Sequence, residues 1–488
     1  MKNLLFLTLL AAATLEARPI AFTNVNVIPM TSDAVLRKQV VIVDDEKIVS
    51  VESADTAKIP EGAEVIDGEG GYLIPGLTDL HVHVNEPDDL SLYVVHGVTT
   101  VLNLAGDTST LRLRRRPFGA SLFTAGPLII DVQTAAAARQ VVEENAKAGY
   151  DAIKIYDNIS AEALPVLVAE ARKRGLLAVG HIPRNRTWQE MLAARPDAIA
   201  HAEEFLYSPV LEGDDAKIVS GMKDGGISLI TTLITYDTIG RQVADPAAML
   251  ARSENAYVNP IFRRMWVSPR NRYLSKFQPA RVPKFRSLLA FQKGLVKQLE
   301  DGGVRILAGT DAGGVPFVVP GVSLIDELRE LVSCGLKPYD VMRATTVDAA
   351  HFLRRDAGTI EAGKPADLVL LRGNPLADID NITLRAGVML RGRWLDNAAL
   401  HAELDRLIAI NHREEAIVEA LDHDGVRAAI AVARRIGARE SSLNELAYQL
   451  LRAEKRRDDA IQVFRANVAM HPDSEDARDS LADAIASR

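Results

Sequence analysis

Two rhythms of apolar residues alternate along most of this chain. Residues 20–28 and 40–43 alternate or run β-branched, and both predict strands. Asp44-Asp45-Glu46-Lys47 predicts the turn into a further strand at 48–51. A matching β-rich stretch returns at 358–371. Between the two, short apolar runs such as 151–156, 176–181, 198–201, 229–236 and 304–311 predict buried strands. They alternate with helical patterns such as 161–174 and 322–334. Strands alternating with helices predict parallel βα units rather than a mixed fold. Two half-sheets on either side of such a core predict one small β-sandwich built from both flanks. From about residue 398 the pattern turns helical and charged to the end.

Length fits this division. One (β/α)8 barrel takes about 250 residues, and the chain has 488. The expected organisation is a signal peptide at 1–17, a β-sandwich from 18–75 and 357–397, a catalytic barrel at 76–356, and a helical tail at 398–488. Lys2 ahead of Leu4-Leu5-Phe6-Leu7 and a run of small residues reads as an export signal, too short for a membrane span. That predicts a secreted or periplasmic protein, and no later stretch is apolar enough to cross a membrane. A single cysteine, Cys334, excludes an internal disulfide. The formal net charge of -8 gives no footing for nucleic acid.

Candidate chemistry concentrates where the predicted strands end. In Leu80-His81-Val82-His83-Val84 the two histidines fall on one side of a strand, half of a transition-metal site. Lys154 interrupts the apolar run 151–156, where an amine must lose its charge or find a partner. A neutral amine can add carbon dioxide, and the resulting carbamate can bridge two metals. His181, His201 and Asp311 each close a short hydrophobic run. In a TIM barrel that position is the carboxyl rim, where catalytic residues gather. Taken singly, each has a plain structural role as a hydrogen-bonded histidine, a snorkelling lysine or a turn-forming aspartate. Four of the ten histidines fall in these slots, and the conjunction favours a metal site.

With those residues in view, the chain resembles the metal-dependent amidohydrolases, in their two-metal, carboxylated-lysine, prolidase-like branch. The resemblance spans about residues 19 to 397. It places His81 and His83 on the first barrel strand, Lys154 on the fourth, His181 on the fifth, His201 on the sixth and Asp311 on the eighth. It implies two divalent ions, zinc by default for this histidine-rich set, with a carbamate on Lys154 bridging them. A metal-bridging hydroxide would attack an amide carbon, and Asp311 would shuttle the proton. Tyr236, at the end of 229–236, resembles a rim tyrosine that contacts the scissile carbonyl; a packing tyrosine fits the same pattern.

The expected activity is hydrolysis of a C–N bond, in a dipeptide or N-acyl amino acid with a free carboxylate. A cyclic amide or imide hydrolase, or a deaminase, is the alternative, and a non-catalytic binding protein is a more distant one. An anionic small molecule fits residues 255–299, which hold ten Lys or Arg and no acid. In the tail, residues 443–451, Phe464 and Pro472 resemble one tetratricopeptide unit. Such units bury their faces on neighbours, so the tail is expected to pack on the catalytic body, a second copy or a partner protein.

Overall fold

The computed structural model describes residues 18–208 and 213–486. The expected signal at 1–17 lies outside the described residues. The N-terminal flank forms β1 (Ile20–Val27), β2 (Leu36–Asp44), β3 (Lys47–Ser53), β4 (Glu64–Asp67) and β5 (Tyr72–Pro75). The turn between β2 and β3 falls at Asp45 and Glu46, with Asp45 at a φ of 54°.

Eight strands follow, each flanked by helical or turn segments: β6 (Leu77–Val82), β7 (Val98–Asn103), β8 (Ser121–Val132), β9 (Ala152–Ile159), β10 (Leu177–Gly180), β11 (Ala198–Ala200), β12 (Ser228–Ile230) and β13 (Ile306–Leu307). Neighbours pair in sequence order, and every pair is parallel. The last strand returns to the first. Leu80 N donates to Ala308 O at 3.0 Å and His83 N to Ala312 O at 2.7 Å. This is a nearly closed parallel α/β barrel, the architecture of a TIM barrel.

Strand alternation explains its two cores. Leu80, Leu102, Ala152, Val179, Ala200 and Leu307 cluster inside the barrel. Ile153 and Ile155 point the other way and meet the helices, as do Leu164, Leu167 and Val168 of the helix Ala163–Lys173. Ala152 and Lys154 share the inner face of β9, so the sequence places an amine among barrel-filling side chains.

The C-terminal flank supplies β14 (Leu368–Leu371), β15 (Arg385–Leu390) and β16 (Arg393–Asp396). β14 pairs antiparallel with β5, Leu370 opposite Leu73, so both flanks form one continuous sheet. Helices then run Asn397–Asp424, Val426–Ile436, Glu440–Tyr448, Arg457–Met470 and Glu475–Ala486. They pack on the catalytic body: Ile261 is buried in one cluster with Leu421, Leu446 and Phe464.

Two expectations are corrected here. The run 229–236 is not one strand, because β12 stops at Ile230 and Tyr236 lies on the helix Leu233–Ala244. Thr232, at a φ of 50°, turns the chain, and the Glu327 carboxylate accepts the Ile234 N–H at 2.8 Å. The positive charge of 255–299 is not all open to an anionic small molecule. Arg263 meets Glu415 at 2.8 Å, Arg264 meets Glu454 at 2.6 Å, and Arg270 meets Asp422 at 3.0 Å. Those three positive charges fasten the tail to the barrel.

Candidate metal centre

His81 sits in β6, and His83 follows just past its end. Asp311 Oδ1 lies 2.8 Å from His83 Nε2 and 3.4 Å from His81 Nε2. These three residues offer ligand atoms that all fall within 4.8 Å of one another. His201, one residue past β11, stacks against His81 with ring centroids 4.4 Å apart. His181, one residue past β10, lies 4.8 Å from His201 by the same measure. The strand ends thus bring four imidazoles and one carboxylate to the carboxyl rim, as the sequence pattern predicts.

Lys154 completes the group from below. It is 1% exposed, and its Nζ has no hydrogen-bond partner among the described residues. Burial pulls the amine down to about 8. His81 is likewise buried, with Nδ1 unpartnered. Burial holds His81 and His181 well below the usual imidazole range and His201 at about 3, so all three are neutral at physiological pH. Burial alone would raise Asp311, yet the hydrogen bond and charge of His83 hold its carboxyl below the ordinary value. The neutral imidazoles of His81, His181 and His201, an ionised carboxylate and orphaned buried nitrogens form a donor set that fits divalent cations.

Supporting groups, missed at the level of sequence, fix these side chains. His201 Nδ1 pairs with Thr232 Oγ1 at 2.7 Å, which leaves Nε2 as its free nitrogen. Glu204 is fully buried, chelated by Arg184 at 2.7 and 3.1 Å, and lies 3.5 Å from His181 Nδ1. Asp79 accepts from His81 N at 3.2 Å and from Thr310 Oγ1 at 2.7 Å, tying the first strand to the eighth. Burial pushes its carboxyl up to about 7. An acid inside the apolar run 77–82 is the one local signal that could have found it. Gly309 is required by close approach, since a β-carbon there would stand 2.8 Å from Cβ of His81.

Tyr236 is brought near this group but not into it. Its hydroxyl lies 2.8 Å from that of Tyr207, and its ring packs 6.3 Å from Phe285. Burial, followed by the Glu203 carboxylate, raises its phenol above the usual range.

The barrel with a histidine–aspartate–lysine rim defines a class: an α/β barrel whose rim offers a donor set that fits divalent metal. The amidohydrolase family profile matches residues 132–395, more than half of the chain, and the chain belongs to the amidohydrolase family. The matched stretch carries Lys154, His181, His201 and Asp311, while His81 and His83 lie ahead of it. The protein is therefore an enzyme, of a family that generally binds divalent metal ions. An uncharacterized protein of Mycobacterium tuberculosis is 25% identical over 347 residues, 67% of this chain and 85% of its own length. An adenine deaminase of Desulforamulus reducens is 22% identical over 364 residues, 74% of this chain and 55% of its own. Among solved structures, a bottromycin amidohydrolase superposes with a TM-score of 0.65 at 23% identity, covering 81% of this chain and 91% of that one. A Xaa-Pro dipeptidase superposes with a TM-score of 0.61 at 19% identity, covering 78% and all (100%) of the two chains. These structural likenesses establish the fold. Among the described residues no helix is long and apolar enough to cross a membrane.

Proposed function

We propose that this enzyme is a two-metal hydrolase of an amide bond, with Lys154 carboxylated. The observation that carries the reading is Lys154 Nζ, buried without a partner beneath neutral histidines. Its neutral nitrogen adds to carbon dioxide, an N–C bond forms, and the released proton goes to solvent. His81, His83 and Asp311 would hold one ion, His181 and His201 the other, with the carbamate between them. When bound, two divalent cations, zinc by default, would lower the pKa of water and polarise the substrate carbonyl. Asp311 takes a proton from the attacking water at its carboxylate and delivers it to the leaving nitrogen as the C–N bond breaks.

The substrate we favour is a dipeptide or N-acyl amino acid with a free carboxylate. Arg272 supports this choice. It donates to Tyr273 Oη at 2.7 Å, is within reach of the Asp311 charge, and meets no carboxylate at ion-pair distance among the described residues. Residues 1–17 support export to the periplasm or beyond. The pair of helices Glu440–Tyr448 and Arg457–Met470 reads as one tetratricopeptide-like unit, a surface for a second copy or a partner protein.

The test is a metal assay with chelator reversal, followed by a screen of dipeptides, N-acyl amino acids, lactones and cyclic imides. Chelator-sensitive turnover of an acyclic amide is expected. Turnover of cyclic imides alone would replace this reading with the cyclic one.

A further inference from the structure

Beside the candidate ligands lies a cavity of about 350 Å3 whose wall includes Gly313 and Gly314. A β-carbon on Gly314 would stand 2.6 Å from Cδ2 of His83 and 2.8 Å from Oδ1 of Asp311. The glycine wall of the cavity therefore packs directly against two of the candidate ligands. Val258, Phe262, Met265, Trp266, Val315 and Val318 give it a mainly apolar lining. The volume lies in the usual range for small-molecule sites. A glycine or alanine residue of a substrate would leave most of it empty and forfeit those contacts.

The charged groups on the wall do not alter that character. Arg270 is committed to Asp422 and Glu454, at 3.0 and 3.3 Å. Asp89 Oδ2 accepts the N–H groups of Asn85 and Glu86 at 2.9 and 3.2 Å. Glu445 Oε1 accepts from Gln449 at 2.8 Å. Burial pushes the carboxyls of Asp89 and Glu445 up to about 8 and about 7, so neither is a full anion at neutral pH. Arg272 is the wall cation left for a substrate anion.

One wall depends on the tail. Trp266 shares a buried cluster with Leu407 of the helix Asn397–Asp424 and stacks 4.9 Å from Phe317. Gln449 Nε2 donates to Ile261 O at 2.8 Å, which seats the short helix bearing Phe262. Glu445 is itself a tail residue.

We infer that this cavity holds a large apolar group on the amine side of the scissile bond, and that the helical tail is a specificity element that builds one of its walls. The inference rests on the amide-hydrolase reading for the placement of that group. The selected substrates carry an aromatic or long aliphatic residue whose carboxylate faces Arg272.

Calorimetric titration of the metal-loaded full chain with 3-phenylpropanoate and with propanoate separates the two ideas, because it reads binding without turnover. Phenylpropanoate is expected to bind at least about 30-fold more tightly, the scale on which apolar pockets discriminate. The ratio should collapse in Met265→Trp, which fills the space, and fall several-fold in Phe262→Ala. Both positions are only half-buried, so folding should survive. Leu407→Ala, behind the wall, should also shrink the ratio. Equal affinity for the two acids in the wild type overturns the inference, and an unchanged ratio in Leu407→Ala overturns the part given to the tail. A strong preference without hydrolysis of any amide keeps the cavity assignment and overturns the amide reading instead.

Discussion

Oε1 of Glu204 lies 3.5 Å from Nδ1 of His181, on a carboxylate that Arg184 grips through both oxygens. The acid stands on the Nδ1 side of the ring, which leaves Nε2 as the nitrogen free to bind. Glu204→Gln is expected to weaken metal binding by about 10- to 100-fold, the usual cost of losing such a partner. Competition against a chromophoric chelator measures this, and wild-type affinity would show that Glu204 only anchors Arg184.

Lys154→Ala should lose metal and activity together. The wild type should carry close to two metal equivalents, and protein equilibrated with 13C-labelled bicarbonate should show a carbamate carbon by NMR. Full metal content in Lys154→Ala would end the carbamate assignment.

For Asp311→Asn the fold and much of the metal binding should survive. Turnover should drop by about 100-fold or more, as for loss of a general acid–base group. Near wild-type kcat would assign the proton shuttle elsewhere.

Arg272 should confer a preference for substrates with a free carboxylate over their carboxamides. About 10-fold in kcat/KM is expected at low salt, the size of one charged hydrogen bond. The preference should shrink in Arg272→Ala and persist in Arg263→Ala, whose guanidinium is committed to Glu415 at 2.8 Å. Equal rates for acid and amide in the wild type would make the cation a surface group.

Glu327 gives a pH signature. Burial pushes its carboxyl from 4.5 up to about 8. Below the lower value both folded and unfolded chains carry the proton. Between the two values the unfolded chain sheds it while the folded chain keeps it, so this group's contribution to stability falls as pH rises through that window. Glu327→Gln should therefore show a smaller fall in Tm between pH 5.5 and 8 than the wild type. An equal or steeper fall would mean the acid is already ionised in the folded protein.

The barrel and the ligand candidates were legible because their signals are local. An apolar run bounded by polar residues marks a strand, and His81, His83, Lys154, His181, His201 and Asp311 all lie in or just after such runs. Tyr236 was misplaced for the opposite reason. The residues 229–236 suit a strand as well as a helix start, and the decision comes from Glu327, far along the chain, accepting the Ile234 N–H. Nothing near His201 tells which of Glu203 and Glu204 turns inward, because Arg184 decides it from the preceding βα loop. The basic stretch looked free because the acids that neutralise part of it, Glu415, Asp422 and Glu454, belong to the tail.

The pairing of β5 with β14 also governs when the molecule can be completed. As the chain emerges during synthesis, β5 keeps an open edge until the whole barrel sequence and Leu368–Leu371 have followed it. Closure between strands so distant in sequence is slow, since the intervening loop must be ordered before the contact repays it. An unpaired apolar edge is also a template for aggregation. Nascent chains that stop short of β14 would thus hold β1, β2 and β3 already paired while the far edge of β5 stays open, so the need for protection from aggregation would fall late in synthesis.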